Sequence, residues 1–209
     1  MTARPNAAPT WSVRQASKPD VEGMAGTLAR AFYKDAVWKW FIPDDATREK
    51  RLERMFAAFT RGVYLRHGTD CYTTDSYAGA ALWTPPGHEH MSPWDIIHIL
   101  PGWTKAIGWR DLLRANRGVN SLDRVHPHER HYYLPFVGVE PESQGRRLGT
   151  ALMKPVLDKC DREGIPAYLE ATSVASRRCY ERVGFETRSE EQVAGDGPPF
   201  FSMWREPAS

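Results

Sequence analysis

Several things are missing from this 209-residue chain, and each absence excludes something. No apolar run approaches the ~20 residues that a membrane-spanning helix needs. Cysteine is scarce and odd in number, at Cys71, Cys160 and Cys179, and no secretory signal is read at the start. A disulfide framework is therefore not expected, and a reducing cytoplasm is. Neither sign of charge is in excess, since 28 basic and 26 acidic residues leave a formal net charge of +2. That balance gives no reason to expect nucleic acid or a membrane surface as partner. There is no internal repeat and no low-complexity tract. His126, His128 and His131 stand close together but lack metal-ligand spacing, so they read as loop residues and no metal is expected.

What is present is enough for one domain with a sizeable core, residues 11–209, behind a disordered leader over 1–10. Trp11 to Gln15 reads as a first edge strand. Ser17-Lys-Pro-Asp20 then gives a helix start, with Val21, Met24, Ala25, Leu28 and Phe32 following at helical spacing. The aromatic stretch from Tyr33 to Phe41 reads as a loop packed on the core. A helix is expected over Ala46–Tyr64, and a strand pair at Cys71–Thr74 and Gly79–Trp83. From Met91 to Pro127 the chain inserts mostly helical material, with a helix starting at Ser92-Pro93 and broken at Pro101-Gly102. Eight tryptophans exceed what a core of this size needs, so some are expected to line a pocket or face a partner.

The centre of the chain lies between His131 and Phe185. The β-branched and apolar run Phe136–Val139 stops at Glu140-Pro141, and apolar residues then recur at Leu148, Ala151, Leu152, Val156 and Cys160. This is a strand passing into a helix. Gly145 and Gly149 bracket the helix start, where backbone N–H groups without helical partners and the helix dipole favour an anion such as phosphate. Arg146 and Arg147 add positive charge there. Pro135 lies inside the strand, where a residue that cannot donate to the ladder marks an edge or a bulge. Further on, Gly164 reads as a helix stop, Pro166–Ala171 as a strand, Ala175–Arg182 as a short helix and Pro199–Trp204 as the last strand.

Gln144-Gly-Arg-Arg-Leu-Gly149 resembles the Q/R-x-x-G-x-G/A signature of the GNAT superfamily of acyl-CoA-dependent N-acyltransferases. Tyr168-Leu-Glu-Ala-Thr-Ser173 and Cys179-Tyr-Glu-Arg-Val-Gly-Phe185 resemble that family's fifth strand and its Y-E-R-x-G-F segment. The likeness extends over most of the chain to a branch of actinobacterial enzymes that includes puromycin N-acetyltransferase. One departure is Arg147, where the signature usually has glycine. Arginine is compatible with helical φ/ψ, so its N–H is expected to point at the ligand while its side chain lies beside the phosphates.

The resemblance implies an α/β (α+β) GNAT fold. Its central sheet is mixed, mostly antiparallel and flanked by helices. It splays at the fourth strand to admit pantetheine, and a helical insertion separates the third strand from the fourth. It implies acetyl-CoA as acyl donor, held by Phe136, Val137, Gly138, Val139, Gln144, Gly145, Arg146, Arg147, Leu148, Gly149 and Thr150. Ser176 joins this set, standing where relatives often carry a cofactor-touching asparagine. Tyr180 matches the tyrosine that serves as acid for the leaving thiolate; read from the residues alone, it is equally a core aromatic at a helix–sheet interface. Glu170 is a carboxylate in an otherwise apolar strand, which is costly to bury without a partner. It is expected to accept the amine proton, to hold the ammonium, or to make a structural hydrogen bond. Phe32, Tyr33, Trp38, Tyr132 and Tyr133 are the expected acceptor-site residues, with the 91–127 insertion as lid. The function so implied is acetylation of a small-molecule primary amine by direct attack in a ternary complex, by a monomer or homodimer. Acetylation of a protein or peptide amine, or a catalytically silent acyl-CoA-binding domain, are the alternatives.

Overall fold

The computed structural model describes residues 11–66, 70–88 and 91–208; the expected leader lies outside them. Seven strands form one sheet in the order β1-β2-β3-β4-β5-β7-β6. They are β1 (Val13–Gln15), β2 (Cys71–Thr74), β3 (Gly79–Thr84), β4 (Tyr132–Val139), β5 (Ala167–Ala171), β6 (Glu186–Gln192) and β7 (Pro199–Arg205). Every described pair is antiparallel except β4 with β5. The sheet is thus mixed and mostly antiparallel, as expected.

Alternation along the strands feeds two cores. Ala80 and Leu82 of β3 face a cluster built on α1 (Val21–Phe32), α2 (Ala36–Phe41), α3 (Asp45–Phe59), α4 (Pro93–Ile107) and α5 (Leu112–Asp123). Ala81 and Trp83, one step out of phase, face α6 (Leu148–Glu163) on the other side, with Tyr180 and Val183 at the end of α7 (Val174–Glu181) packed at its margin. Gly138 of β4 has no Cβ because one would lie 2.9 Å from Ala31 Cβ and 3.0 Å from Leu28 Cδ2. The missing side chain lets α1 sit directly on the central strand.

The register locates the expected bulge. Leu82 pairs with Phe136, but Thr84 pairs with Tyr133, so Leu134 and Pro135 together oppose Trp83 alone. Proline's absent N–H removes a ladder bond at that point. On its other side β4 pairs with β5 only through Tyr132–Ala167 and Tyr133–Tyr168. Beyond Tyr133 the two strands part.

Several expectations are corrected. The aromatic stretch is no loop: Asp35 caps α2, its Oδ1 accepting from the N–H groups of Val37 (2.9 Å) and Trp38 (3.2 Å). The Ala46–Tyr64 helix ends at Phe59 and passes into a π-helical turn, Thr60–Tyr64. Pro101 does not break its helix; α4 runs on to Ile107. Proline frees the carbonyl of the exposed Ile97, which water can satisfy, and Gly102 beside it brings α4 onto α3, where a Cβ would lie 2.4 Å from Ala58 Cβ. The edge strand β6 was unforeseen. Its sequence, Glu-Thr-Arg-Ser-Glu-Glu-Gln, is almost wholly exposed and carries no apolar alternation.

The first turn is anchored by a buried carboxylate. Asp20 accepts from Ser17 N–H (2.8 Å) and Ser17 Oγ (2.9 Å), from Tyr77 Oη (3.0 Å) and from Arg14 (2.7 and 2.9 Å), tying β1, α1 and the β2–β3 turn together. The Arg14 guanidinium, more than the other donors, holds its carboxyl well below the usual carboxylate range. A depressed folded-state pKa contributes stability above the unfolded value of ~3.9 that is lost as pH falls. Asp20→Asn is expected to lower neutral-pH stability by about 2 kcal/mol. Denaturation series should show that gap shrinking steadily below about pH 4. A gap independent of pH would mean that shape, and not charge, holds this turn.

Candidate active site

The parting of β4 from β5 opens a cleft of about 1330 Å³. One wall is the edge of β4, Phe136–Val139, whose backbone from Leu134 onward has no partner strand on the β5 side. Below it lies the start of α6. Gln144, Gly145, Arg147, Leu148, Gly149 and Thr150 all line the cleft there. Gly149 leaves the approach clear: the nearest atom to a Cβ at that position would be Val139 Cγ2, at 3.8 Å. Gln144 also braces the turn, donating from Nε2 to the carbonyl of Val139 at 3.1 Å. Arg146 does not line the cleft; it is exposed, and its carbonyl accepts from Trp11 Nε1 at 3.1 Å.

Arg147 departs from its expected conformation. It is the N-cap of α6 and sits in the left-handed region, φ 61° and ψ 15°, rather than in helical φ/ψ. Glycine adopts that region freely, whereas a side chain there costs about 1–2 kcal/mol. The strain places an exposed guanidinium at the cleft beside the unpaired N–H groups of the helix start.

The opposite wall comes from β5 and α7. Ser173 and Ser176 form a reciprocal cap at the start of α7, with Ser176 N–H donating to Ser173 Oγ (3.0 Å) and Ser173 N–H to Ser176 Oγ (3.1 Å). Ser176 is thus at the cleft with its hydroxyl engaged in holding the helix. One turn further, Cys179 and Tyr180 line the same wall. Burial above all, then the adjoining Cys179 and Asp35, push the Tyr180 phenol above its ordinary range. Asp35 was not foreseen here. Burial raises its carboxyl, and Thr172 Oγ1 donates to its Oδ2, linking α2 to the end of β5.

At the upper end of the cleft, Tyr133 Oη donates to Glu170 Oε2 at 2.8 Å. Burial and the charge of Glu170 hold the Tyr133 phenol far above its ordinary range. Glu170 Oε1 is sealed from solvent, accepts no hydrogen bond among the described residues, and lies 3.7 Å from His126 Nδ1. His126 and His131, read as loop residues, are both buried; their rings lie 5.1 Å apart, and that of His126 is 4.7 Å from Tyr133. His126 reaches the cleft from the far end of the helical insertion. Its place was hidden because an isolated histidine in a polar segment gives no periodic signal.

Of the expected acceptor residues, Phe32, Trp38 and Tyr133 line the cleft. Tyr33 and Tyr132 do not. Tyr33 donates to the carbonyl of Asp45 (3.2 Å) under the guanidinium of Arg48. Tyr132, alternating with Tyr133, points to the α6 side, where its hydroxyl donates to Glu163 at 2.8 Å. Among the described residues no cluster of His, Cys, Asp and Glu could hold a metal, and no helix is long and apolar enough to cross a membrane.

The sheet, its parting and the turn before α6 define an acyltransferase architecture, and the profile of the Acetyltransferase (GNAT) family matches residues 35–185. The chain belongs to that family and is an N-acetyltransferase by class. It is similar, at 25% identity over 94% of this chain and 83% of the relative, to an uncharacterized N-acetyltransferase of Schizosaccharomyces pombe. Among solved structures it is similar to one described as histone acetyltransferase HPA2 and related acetyltransferase from Corynebacterium glutamicum (TM-score 0.73, 24% identity, 96% and 98% of the two chains). A polyamine N-acetyltransferase of Drosophila melanogaster shares the fold at TM-score 0.60 and 19% identity, covering 94% of this chain and 100% of that one.

Arg147→Gly separates strain from ligand contact. Relief of about 1–2 kcal/mol exceeds the ~0.5–1 kcal/mol that glycine adds through the unfolded chain, so the melting temperature is expected to hold or rise slightly. Loss of one exposed ion pair should weaken acetyl-CoA by no more than about fivefold in calorimetry. A destabilised variant would show that the arginine side chain, not the ligand, justifies the conformation.

Proposed function

We propose that this chain transfers an acetyl group from acetyl-CoA to the primary amine of a small molecule, by direct attack with both substrates bound. The observation that carries this is the unpaired edge of β4 facing Glu170 and Tyr180 across one cleft. Backbone groups in a strand edge demand partners. The residues present fit acetyl-CoA: the free β4 edge suits the amides of its pantetheine arm. Gly145, Arg147, Gly149 and Thr150 at the dipole-positive start of α6 suit its pyrophosphate. Acetyl-CoA supplies an acyl group activated as a thioester.

The chain's own residues then divide the proton work. N–H groups around Val137 stabilise the carbonyl oxygen as negative charge develops there. Tyr180, a phenol and so protonated at neutral pH, gives a proton or a hydrogen bond to the departing sulfur. Glu170 takes the acceptor ammonium's proton, directly or through water, with His126 3.7 Å from its Oε1 to pass it on. Residues 11–209 act as one catalytic unit, and α4 and α5 cover the acceptor end, which favours a small amine over a peptide. Retention of Tyr180, Glu170 and the α6 turn favours an active enzyme over a silent acyl-CoA binder. The family likeness to puromycin-acetylating enzymes concerns the reaction and does not name the acceptor. A cytoplasmic site of action fits a chain with only three cysteines.

Tyr180→Phe keeps the ring and removes the hydroxyl. We expect kcat to fall about 10²-fold, at the low end of general acid catalysis because a thiolate leaves without full protonation, with melting and acetyl-CoA affinity unchanged. A variant within threefold of wild type would make Tyr180 a packing residue. Glu170→Gln should lower kcat/KM for the amine by at least about tenfold while acetyl-CoA affinity is kept. Equal loss of both would place Glu170 in the scaffold instead.

A further inference from the structure

The acceptor end of the cleft is lined in a way that selects among amines, and this inference rests on the reading just given. We infer that the acceptor is a monoamine carried on an apolar, ring-bearing body, and not a polyamine or other dication.

Two observations carry this independently. The first is the wall. Trp38, Phe59, Trp103 and Phe136 line this end of the cleft, and the ring of Phe59 lies 6.1 Å from that of Trp103 and 6.0 Å from that of Phe136. On α4, Ile96, Leu100 and Trp103 recur at positions i, i+4 and i+7, a single stripe that lines the cleft, with Trp103 also packed on the core. Ile96 and Leu100 stay 47% and 49% exposed, apolar surface that a bound apolar body would cover. From α5, Val119 and Leu122 add to the same lining.

The second is the charge count. Three carboxylates line the cleft among the described residues: Asp35, Asp123 and Glu170. Both oxygens of Asp35 are engaged, by Val37 and Trp38 N–H and by Thr172. Asp123 is exposed at the last position of α5, at the rim. Glu170 is the one cleft carboxylate that is both buried and short of a hydrogen-bond partner among the described residues, at Oε1 beside His126, and it lies next to the rings. One ammonium is therefore matched. A second, carried several methylenes away, would lie against the aromatic and aliphatic wall, where desolvation costs more than ring faces return. A phenyl or indole body instead gains from leaving water there.

The test is thiol release from acetyl-CoA with 2-phenylethylamine and tryptamine set against putrescine, spermidine and agmatine. We expect kcat/KM for the ring-bearing monoamines to exceed that for the dications by about tenfold or more. Leu100→Asp and Ile96→Asp sit at exposed positions and should fold. Each is expected to raise KM for 2-phenylethylamine by about tenfold, to lower it for putrescine, and to leave acetyl-CoA affinity by calorimetry unchanged. A preference for dications, or no discrimination, overturns the inference. Tight acetyl-CoA binding with turnover of none of these amines overturns it as well, leaving the site's assignment standing. Absence of acetyl-CoA binding overturns that assignment itself.

Discussion

The parting of β4 from β5 after Tyr133 is the constraint on which everything else in the cleft depends. A sheet does not open without a cause, because each unpaired backbone group inside a protein is costly. Here the cause is local. Pro135 withholds one N–H, the Leu134–Pro135 bulge takes up an extra residue against Trp83, and β4 leaves its partner within two residues. β5 does not follow; it stays paired along its length with β7. The gap so made has a backbone edge on one side and the side chains of β5 and α7 on the other. Glu170 of β5 and Tyr180 of the following α7 face the β4 edge only because β5 was prevented from pairing with it there.

The turn that follows β4 must then be held in place, and it is held from three directions. Arg30 of α1 grips Glu140 with two nitrogens, at 3.0 and 2.6 Å, just where β4 ends. Glu140 N–H donates to the carbonyl of Ala78 at 2.9 Å, and Trp11 closes over the carbonyl of Arg146. Against this support the left-handed Arg147 can persist, since local strain survives where its surroundings over-determine it.

Much of this was legible in the residues, and what was missed has physical reasons. The strand–turn–helix around Gly145 and Gly149, the bulge at Pro135, the stop at Gly164 and the cleft residue Glu170 arise from local rules: turn chemistry, a missing donor, a charge in an apolar strand; Tyr180 was reached only through the resemblance of its segment to the family's. Edge strand β6 was invisible because its seven residues bury nothing and take their order from pairing with β7 alone. Pro101 misled because a tertiary contact, Gly102 against Ala58, outweighs one lost helical bond. Arg147 misled because side-chain type predicts φ only on average. Asp35 and His126 were hidden because a residue's partner can lie far along the chain, at Thr172 and Glu170 respectively.

The two ends of the cleft also differ in what builds them, and this sets what family membership can say. The end proposed for the acyl donor is made of backbone edge, helix terminus and glycines, features that many sequences can supply while the fold is kept. Structures sharing only 24% or 19% of its residues therefore superimpose on it. The acceptor end is made of side chains from α2, α3, α4, α5 and β5, and α4 and α5 enter between β3 and β4 without belonging to the sheet. Substituting Leu100 or Ile96, half-exposed and outside the core, changes the cleft's chemistry while leaving its frame untouched. Reaction type is thus tied to the fold and the choice of amine is not. For this chain the choice of amine rests on the rings and on Glu170, the buried carboxylate beside them.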